Sequence, residues 1–309
     1  MSSLRCWSIL FLAATSWGCA DISLPELPPL PHYITSFGTW GTGPGEFEYP
    51  RVISVGPDSL LYITDNGNSR IQVLTPGGTF VREWPSGGYS SMIRVAPDTS
   101  VYVSLFPGQS PVHYTREGKL INYTHLWGGA QGFEIDSSGN LYSCGLRVYM
   151  PDPDHTFVEG PYLSKFNPEG ELVQKWGYPG KMDTTGWSGG PMTWNPNGNL
   201  LMLGQIDSSA AVFEFTPDGE TVSAWRIPNV DSYSSDIACD RDGRILISSP
   251  YQQRVYVFDS HGRLLVSFND VSSTEEPLKM PTGIVVDRSG FIYVVDRDRY
   301  RIVKYQQAP

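Results

Sequence analysis

The chain has 309 residues, a formal net charge of −10, 40% hydrophobic and only 17% charged residues, with 32 Gly, 25 Pro, 17 Tyr and 9 Trp. That length and apolar content can build one large core or two modest ones. An acidic surface repels phosphate backbones, which counts against nucleic acid as a partner, and no long pattern at the helical period of 3.6 runs anywhere in the chain.

The first 19 residues read as a signal peptide. Arg5 precedes the apolar run CWSILFLAA, which is too short to span a bilayer, and Ser16-Trp17-Gly18-Cys19 follows. Cys19 after a small residue resembles a bacterial lipoprotein cleavage site, although Ser16 and Trp17 depart from that pattern; cleavage after Ala20 is the competing reading. Lipidation of Cys19 would tether the protein to a bacterial cell envelope membrane. Residues 20–31, rich in proline, would form a stiff spacer. Removing residues 1–18 takes away one Arg and no acid, moving the net charge from −10 to −11.

From Pro50 onward the chain falls into short runs of β-branched and aromatic residues separated by Gly, Pro, Asn and Asp. Residues 50–84 show the unit: runs around Ile53-Val55, Leu60-Thr64, Arg70-Leu74 and Thr79-Trp84, with turns at Pro57-Asp58-Ser59, Asp65-Asn66-Gly67-Asn68 and Pro76-Gly77-Gly78. One such meander cannot cover both of its faces and needs copies of itself. Copies follow over 91–127, 131–176, 190–225, 235–268 and 281–305. The last lacks a fourth strand. Tyr33-Ile34-Thr35-Ser36-Phe37-Gly38 matches the fourth-strand runs at Leu172-Trp176 and Leu264-Phe268, so it is expected to complete the sixth unit and close a ring. Closure removes the exposed sheet edges of an open array. Burial of Ile34 and Phe37 there would contribute roughly 1.5–3 kcal/mol each.

Pro281-Thr282-Gly283-Ile284-Val285-Val286-Asp287, together with Asp65-Asn66-Gly67-Asn68-Ser69-Arg70, resembles the NHL repeat. The resemblance implies a six-bladed β-propeller over residues 32–309, all-β, with four-stranded antiparallel blades. Units one, five and six match best, while two to four keep the strand rhythm without the Asp…Arg signature. Function is not implied, because NHL propellers include binding scaffolds, lyases and RNA-binding modules.

In such blades the first-to-second and third-to-fourth turns share one face, and here they are uniformly tight. The opposite face carries long links and the blade-three insertion 145–160, read as a loop. Loops on a rigid scaffold collect binding residues. The candidate residues on this face and at its channel mouth are Arg51, Gln131, Tyr149, His155, Tyr178, Trp187, Tyr233, Tyr251 and Tyr300, with Tyr49, Tyr89 and Phe106 beside them. Aromatic groups with polar tips suit a protein, peptide or glycan partner. The first residues of the inner strands (Arg51, Ser91, Gln131, Gly190, Ser235 and Thr282) are polar or small, as expected around a wet channel.

No catalytic residue, metal site or cofactor is indicated. The amidating lyases, which the fold resembles, hold zinc with three axial histidines; His32, His113, His125 and His261 fall elsewhere, and His155 lies in a solvated Asp-Pro-Asp-His run. Asp65 with Arg70 and Asp296 with Arg301 are read as structural pairs, the carboxylate taking N–H groups of its own turn. Arg94 and Glu134 occupy one position in adjacent blades, which predicts a salt bridge. Cys144 and Cys239 are separated by a blade, hence too far apart for a disulfide, and are expected as free buried thiols. The reading is an exported, lipid-anchored, monomeric binding module. The alternatives are a lyase or hydrolase acting at the channel mouth and a scaffold of an envelope complex.

Overall fold

The computed structural model describes residues 29–106, 111–124, 132–149, 157–177, 189–206, 209–227, 230 and 236–307. Six four-stranded antiparallel sheets stand around one axis. Blade one is Pro50–Val55, Leu61–Asp65, Arg70–Leu74 and Phe80–Pro85. Blade two runs from Ser90–Val95 to Leu120–Tyr123, blade three from Gly132–Ile135 to Leu172–Gly177, blade four from Gly189–Trp194 to Thr221–Arg226, and blade five from Asp236–Cys239 to Leu264–Phe268. Blade six has Pro281–Val286, Phe291–Asp296 and Arg301–Gln306, and its outer strand is His32–Phe37 from the start of the chain. The inner strand of blade six lies beside that of blade one, where Thr282 Oγ1 donates to Arg51 O at 2.7 Å. The ring is closed.

The clasp strand pairs with Arg301–Gln306, Phe37 opposite Ile302 and Tyr33 opposite Tyr305. Ile34 is not buried as expected: it stays 40% exposed and Phe37 is half-buried. A register shift between Tyr33 and Thr35 breaks the simple alternation, and the Tyr33 ring meets Tyr305 at 6.4 Å instead. Polar contacts compensate. Glu275, in the link between blades five and six, accepts from Tyr33 Oη at 2.5 Å, Ser36 Oγ at 2.7 Å and Arg301 Nη1 at 2.5 Å.

Blades pack on one another through a repeated device. An aromatic residue of one outer strand covers the third-to-fourth turn of the next blade, where a glycine with positive φ leaves no room for a Cβ. Phe37 covers Gly78, Trp84 covers Gly118, Trp176 covers Gly219 and Trp225 covers Gly262, and a Cβ there would lie 2.2–2.5 Å from the ring.

Three local expectations change. The 145–160 insertion is largely strand: Leu141–Tyr149 and Phe157–Phe166 extend the blade-three hairpin, pairing as far as Tyr149 with Phe157. Asp65 and Asp296 take backbone N–H groups of the interblade link and not of their own turn, which gives Asp65 only the Asn68 side-chain amide, at 2.9 Å. Asp65 takes Glu48 N at 2.7 Å, Asp296 takes Lys279 N and Met280 N at 2.9 Å each, and Arg70 donates to the carbonyls of Thr42, Gly43 and Glu46. Each pair therefore staples a link to its own blade. Cys144 is buried and free as expected, whereas Cys239 is free but only half-buried.

Candidate binding face and axial channel

Each inner strand pairs with its neighbour in the same register, which places one residue per blade at a common height. Ser54 faces Tyr62, Arg94 faces Tyr102, Glu134 faces Tyr142, Thr193 faces Leu201, Ala238 faces Leu246 and Val285 faces Tyr293. All six line one axial cavity. The ring is polar on blades one to four and apolar on five and six.

Arg94 spans it. Its Nε donates to Glu134 Oε2 at 2.7 Å, Nη1 to Ile93 O at 2.9 Å and Nη2 to Met192 O at 2.8 Å, with Asp236 Oδ1 at 3.8 Å. The expected Arg94–Glu134 bridge is present. Its extension to blades four and five leaves no signal in the repeat alignment, because Asp236 sits two residues before the ring position on its own strand. Asp236 is almost wholly buried and also accepts from Ile237 N at 3.0 Å and Ile284 N at 3.2 Å, so it ties blade five to blade six.

Two carboxylates thus share one guanidinium. Desolvation raises Asp236 to about 6, against the pull of Arg94 and two N–H donors. Burial likewise raises Glu134, opposed by Arg94. Burial alone would lower Arg94, but the charges of Glu134 and Asp236 outweigh it and hold it firmly protonated.

Below the ring the cavity, of about 350 Å³, runs to the first-to-second-strand turns, with Pro57, Pro97, Ser137 and Arg288 at its rim. It opens on the tight-turn face. Among the described residues no group of three His, Cys, Asp or Glu stands close enough to hold a metal ion.

The long-loop face carries half-exposed aromatics held in pairs. The Tyr89 and Phe106 rings meet edge-on at 6.2 Å and are 42% and 67% exposed. Arg51 lies 5.6 Å over the Tyr89 ring and donates to its hydroxyl at 3.1 Å. Tyr49 and Tyr300 meet at 6.2 Å, both with positive φ (50° and 56°), a strained conformation for bulky residues. Tyr251, in the second-to-third turn of blade five, is 68% exposed. Arg51, Tyr251 and Tyr300 therefore lie on the expected face, but the structure does not bring them into one pocket. Tyr149 ends an extended strand. Gln131, His155, Tyr178, Trp187, Tyr233 and Cys19 lie outside the described residues.

Residues 278–305 match the model of the NHL repeat, covering the sixth blade. Six blades of one rhythm close the ring it belongs to. This chain is a six-bladed β-propeller whose last blade matches the NHL repeat. No curated protein matches it. Solved structures similar to this propeller include a streptogramin B lyase, at 12% identity over 90% of this chain and 98% of that one, with a TM-score of 0.61. A gluconolactonase from Xanthomonas campestris is also similar, at 12% identity over 91% of this chain and 98% of that one, with a TM-score of 0.62. Virginiamycin B lyase from Staphylococcus aureus aligns at 13% identity over 88% and 98%, with a TM-score of 0.60. At such identities the likeness is one of fold.

Proposed function

We propose that this propeller is exported, anchored by a lipid on Cys19, and recognises a protein, peptide or glycan ligand through its long-loop face. The observation that carries the reading is the Arg51–Tyr89–Phe106 assembly. Two large rings are kept half-exposed, and a guanidinium braced on one of them fixes its orientation. Rigid amphipathic rings present contact area at low entropic cost, which is what recognition surfaces select. The strained pair Tyr49–Tyr300 extends the same surface across blades six and one.

Screening the mature protein and its Tyr89→Ala/Tyr251→Ala variant against glycan and peptide arrays tests the reading. Ligands held by the parent and lost by an equally heat-stable variant support it; ligands held equally by both move the site off this face. For the anchor, Cys19→Ala is expected to release the protein from the membrane fraction. Release of the parent itself would favour cleavage after Ala20.

A second reading, a lyase or hydrolase working at the channel mouth, draws on Glu134, which lines the cavity and keeps part of its carboxylate open. Turnover of a streptogramin or gluconolactone by the parent and not by Glu134→Gln would support it. Turnover unchanged in the variant would remove it.

A further inference from the structure

The cavity on the tight-turn face is lined by chemistry that the aromatic surface does not use. Arg94 is committed: Nε, Nη1 and Nη2 all donate within the protein. Three of its five N–H groups are thus taken, and an anion approaching the rest meets the Asp236 carboxylate, 3.8 Å from Nη2. Acceptors are left over instead. Among the described residues Glu134 receives only the Arg94 Nε proton and Ile135 N, at 2.7 and 3.0 Å, while a carboxylate has about four lone-pair sites. Its side chain keeps 13% of its surface open. Ser54 is more than nine-tenths buried and Thr193 is half-buried; both line the cavity, and neither hydroxyl has a hydrogen-bond partner among the described residues. Hydroxyls that open into a cavity without a protein partner are groups that a ligand can satisfy.

Arg94 and Arg288 line the cavity with Glu134, Asp136 and Asp287, and Asp236 lies behind Arg94. The Asp136 and Asp287 carboxylates accept N–H groups of their own turns, which leaves Glu134 as the carboxylate open to a ligand. A bare divalent cation is disfavoured: calcium takes six to eight oxygens, and the Arg94 guanidinium stands beside the carboxylate that would lead the set. The opposite wall is apolar, formed by Ala238, Val285 and Val286, with Cys239 at its edge. About 350 Å³ lies at the lower end of small-molecule sites.

From these features we infer that the axial cavity under the first-to-second-strand turns binds a small organic monocation, a primary amine with a compact apolar body. Its ammonium is set against Glu134 between the hydroxyls of Ser54 and Thr193, and its body lies on the Ala238–Val285 wall. The site is separate from the aromatic face and does not depend on that surface having a ligand.

Titration calorimetry of the mature protein with benzylamine, benzyl alcohol and benzoate tests this. These three probes share a ring and differ in charge. Benzylamine is expected to bind, and Glu134→Gln to weaken it about tenfold or more, the worth of one charged hydrogen bond. Because Cys239 lies at the edge of the same wall, saturating benzylamine is also expected to slow its alkylation in the native protein, a readout that needs no variant. Should Glu134→Gln fail to fold, Ser54→Val and the Cys239 protection carry the decision. Benzoate or benzyl alcohol binding as well as benzylamine, binding unaffected by these substitutions, or no binding with unprotected Cys239 would each overturn the inference.

Discussion

Arg94 of blade two and Glu134 of blade three meet at 2.7 Å inside the ring, and the same guanidinium reaches the Met192 carbonyl of blade four and the Asp236 carboxylate of blade five. One side chain thus connects four of the six blades across the axis. Removing it strands two buried carboxylates. Arg94→Met is expected to cost about 3–5 kcal/mol, the usual result of breaking a buried pair from one side. Arg94→Met/Glu134→Gln should recover part of that loss in urea unfolding, and a double-mutant cycle with no coupling would show the bridge to be energetically silent.

Asp236 makes stability depend on pH. Its folded-state value is raised to about 6, above that of an ordinary aspartate, so the folded protein holds the proton more tightly than the unfolded chain. This contribution is fully present below pH ~4 and is lost as pH rises toward about 6. The decline cannot exceed about 1.4 kcal/mol per pH unit for one group. Unfolding free energies of the parent minus those of Asp236→Asn, measured from pH 4 to 7, should fall over this window and flatten above it. A flat difference would mean that Asp236 is ionised throughout.

Glu275 holds the closure. Burial alone would raise its pKa, but hydrogen bonds from Tyr33 and Ser36 and the charge of Arg301 outweigh this and lower it. A lowered carboxyl stabilises above its unfolded value and loses that contribution as pH falls. Glu275→Ala should therefore lower the thermal midpoint at pH 7, and lower it less as pH falls through the acid range. Deleting residues 33–38 should be more damaging than either, since it exposes the whole edge of Arg301–Gln306. Equal heat resistance of the deletion would argue against the clasp.

The turn glycines separate two costs. Gly118 and Gly170 have nearly equal φ, 83° and 86°, but a Cβ at Gly118 would lie 2.2 Å from Trp84 while nothing lies within 4 Å at Gly170. Gly170→Ala should cost about 1–2 kcal/mol for the left-handed backbone alone. Gly118→Ala should add about 1–3 kcal/mol for displacing the indole. Equal midpoints for the two variants in chemical unfolding would remove the interblade role assigned to Trp84.

Much of this architecture could be read from the chain because a propeller repeats local information. Tight turns built from Pro, Asp, Asn, Ser and Gly, alternating apolar runs and the recurring outer-strand aromatic mark every blade. The unpaired strand near the start could then belong only to the incomplete last blade. Alignment of blades two and three even paired Arg94 with Glu134. The exposure of Ile34 is not legible in the chain, because a bulge at Tyr33–Thr35 turns the strand and bulges leave no mark in simple alternation. The 145–160 segment looked like a loop because its Gly and Pro content hides a hairpin continued from the blade beneath.

What the residues alone determined is the unit, its number and its closure, for these follow from short-range turn chemistry and from the need of each meander to cover its faces. Tertiary structure decided what the axis contains. Asp236 meets Arg94 only because blades two and five face each other across the ring, and Ser54, Glu134 and Thr193 share a cavity only because closure brings separate strands to one height. Charges placed around a ring interact through space at distances that no sequence spacing encodes.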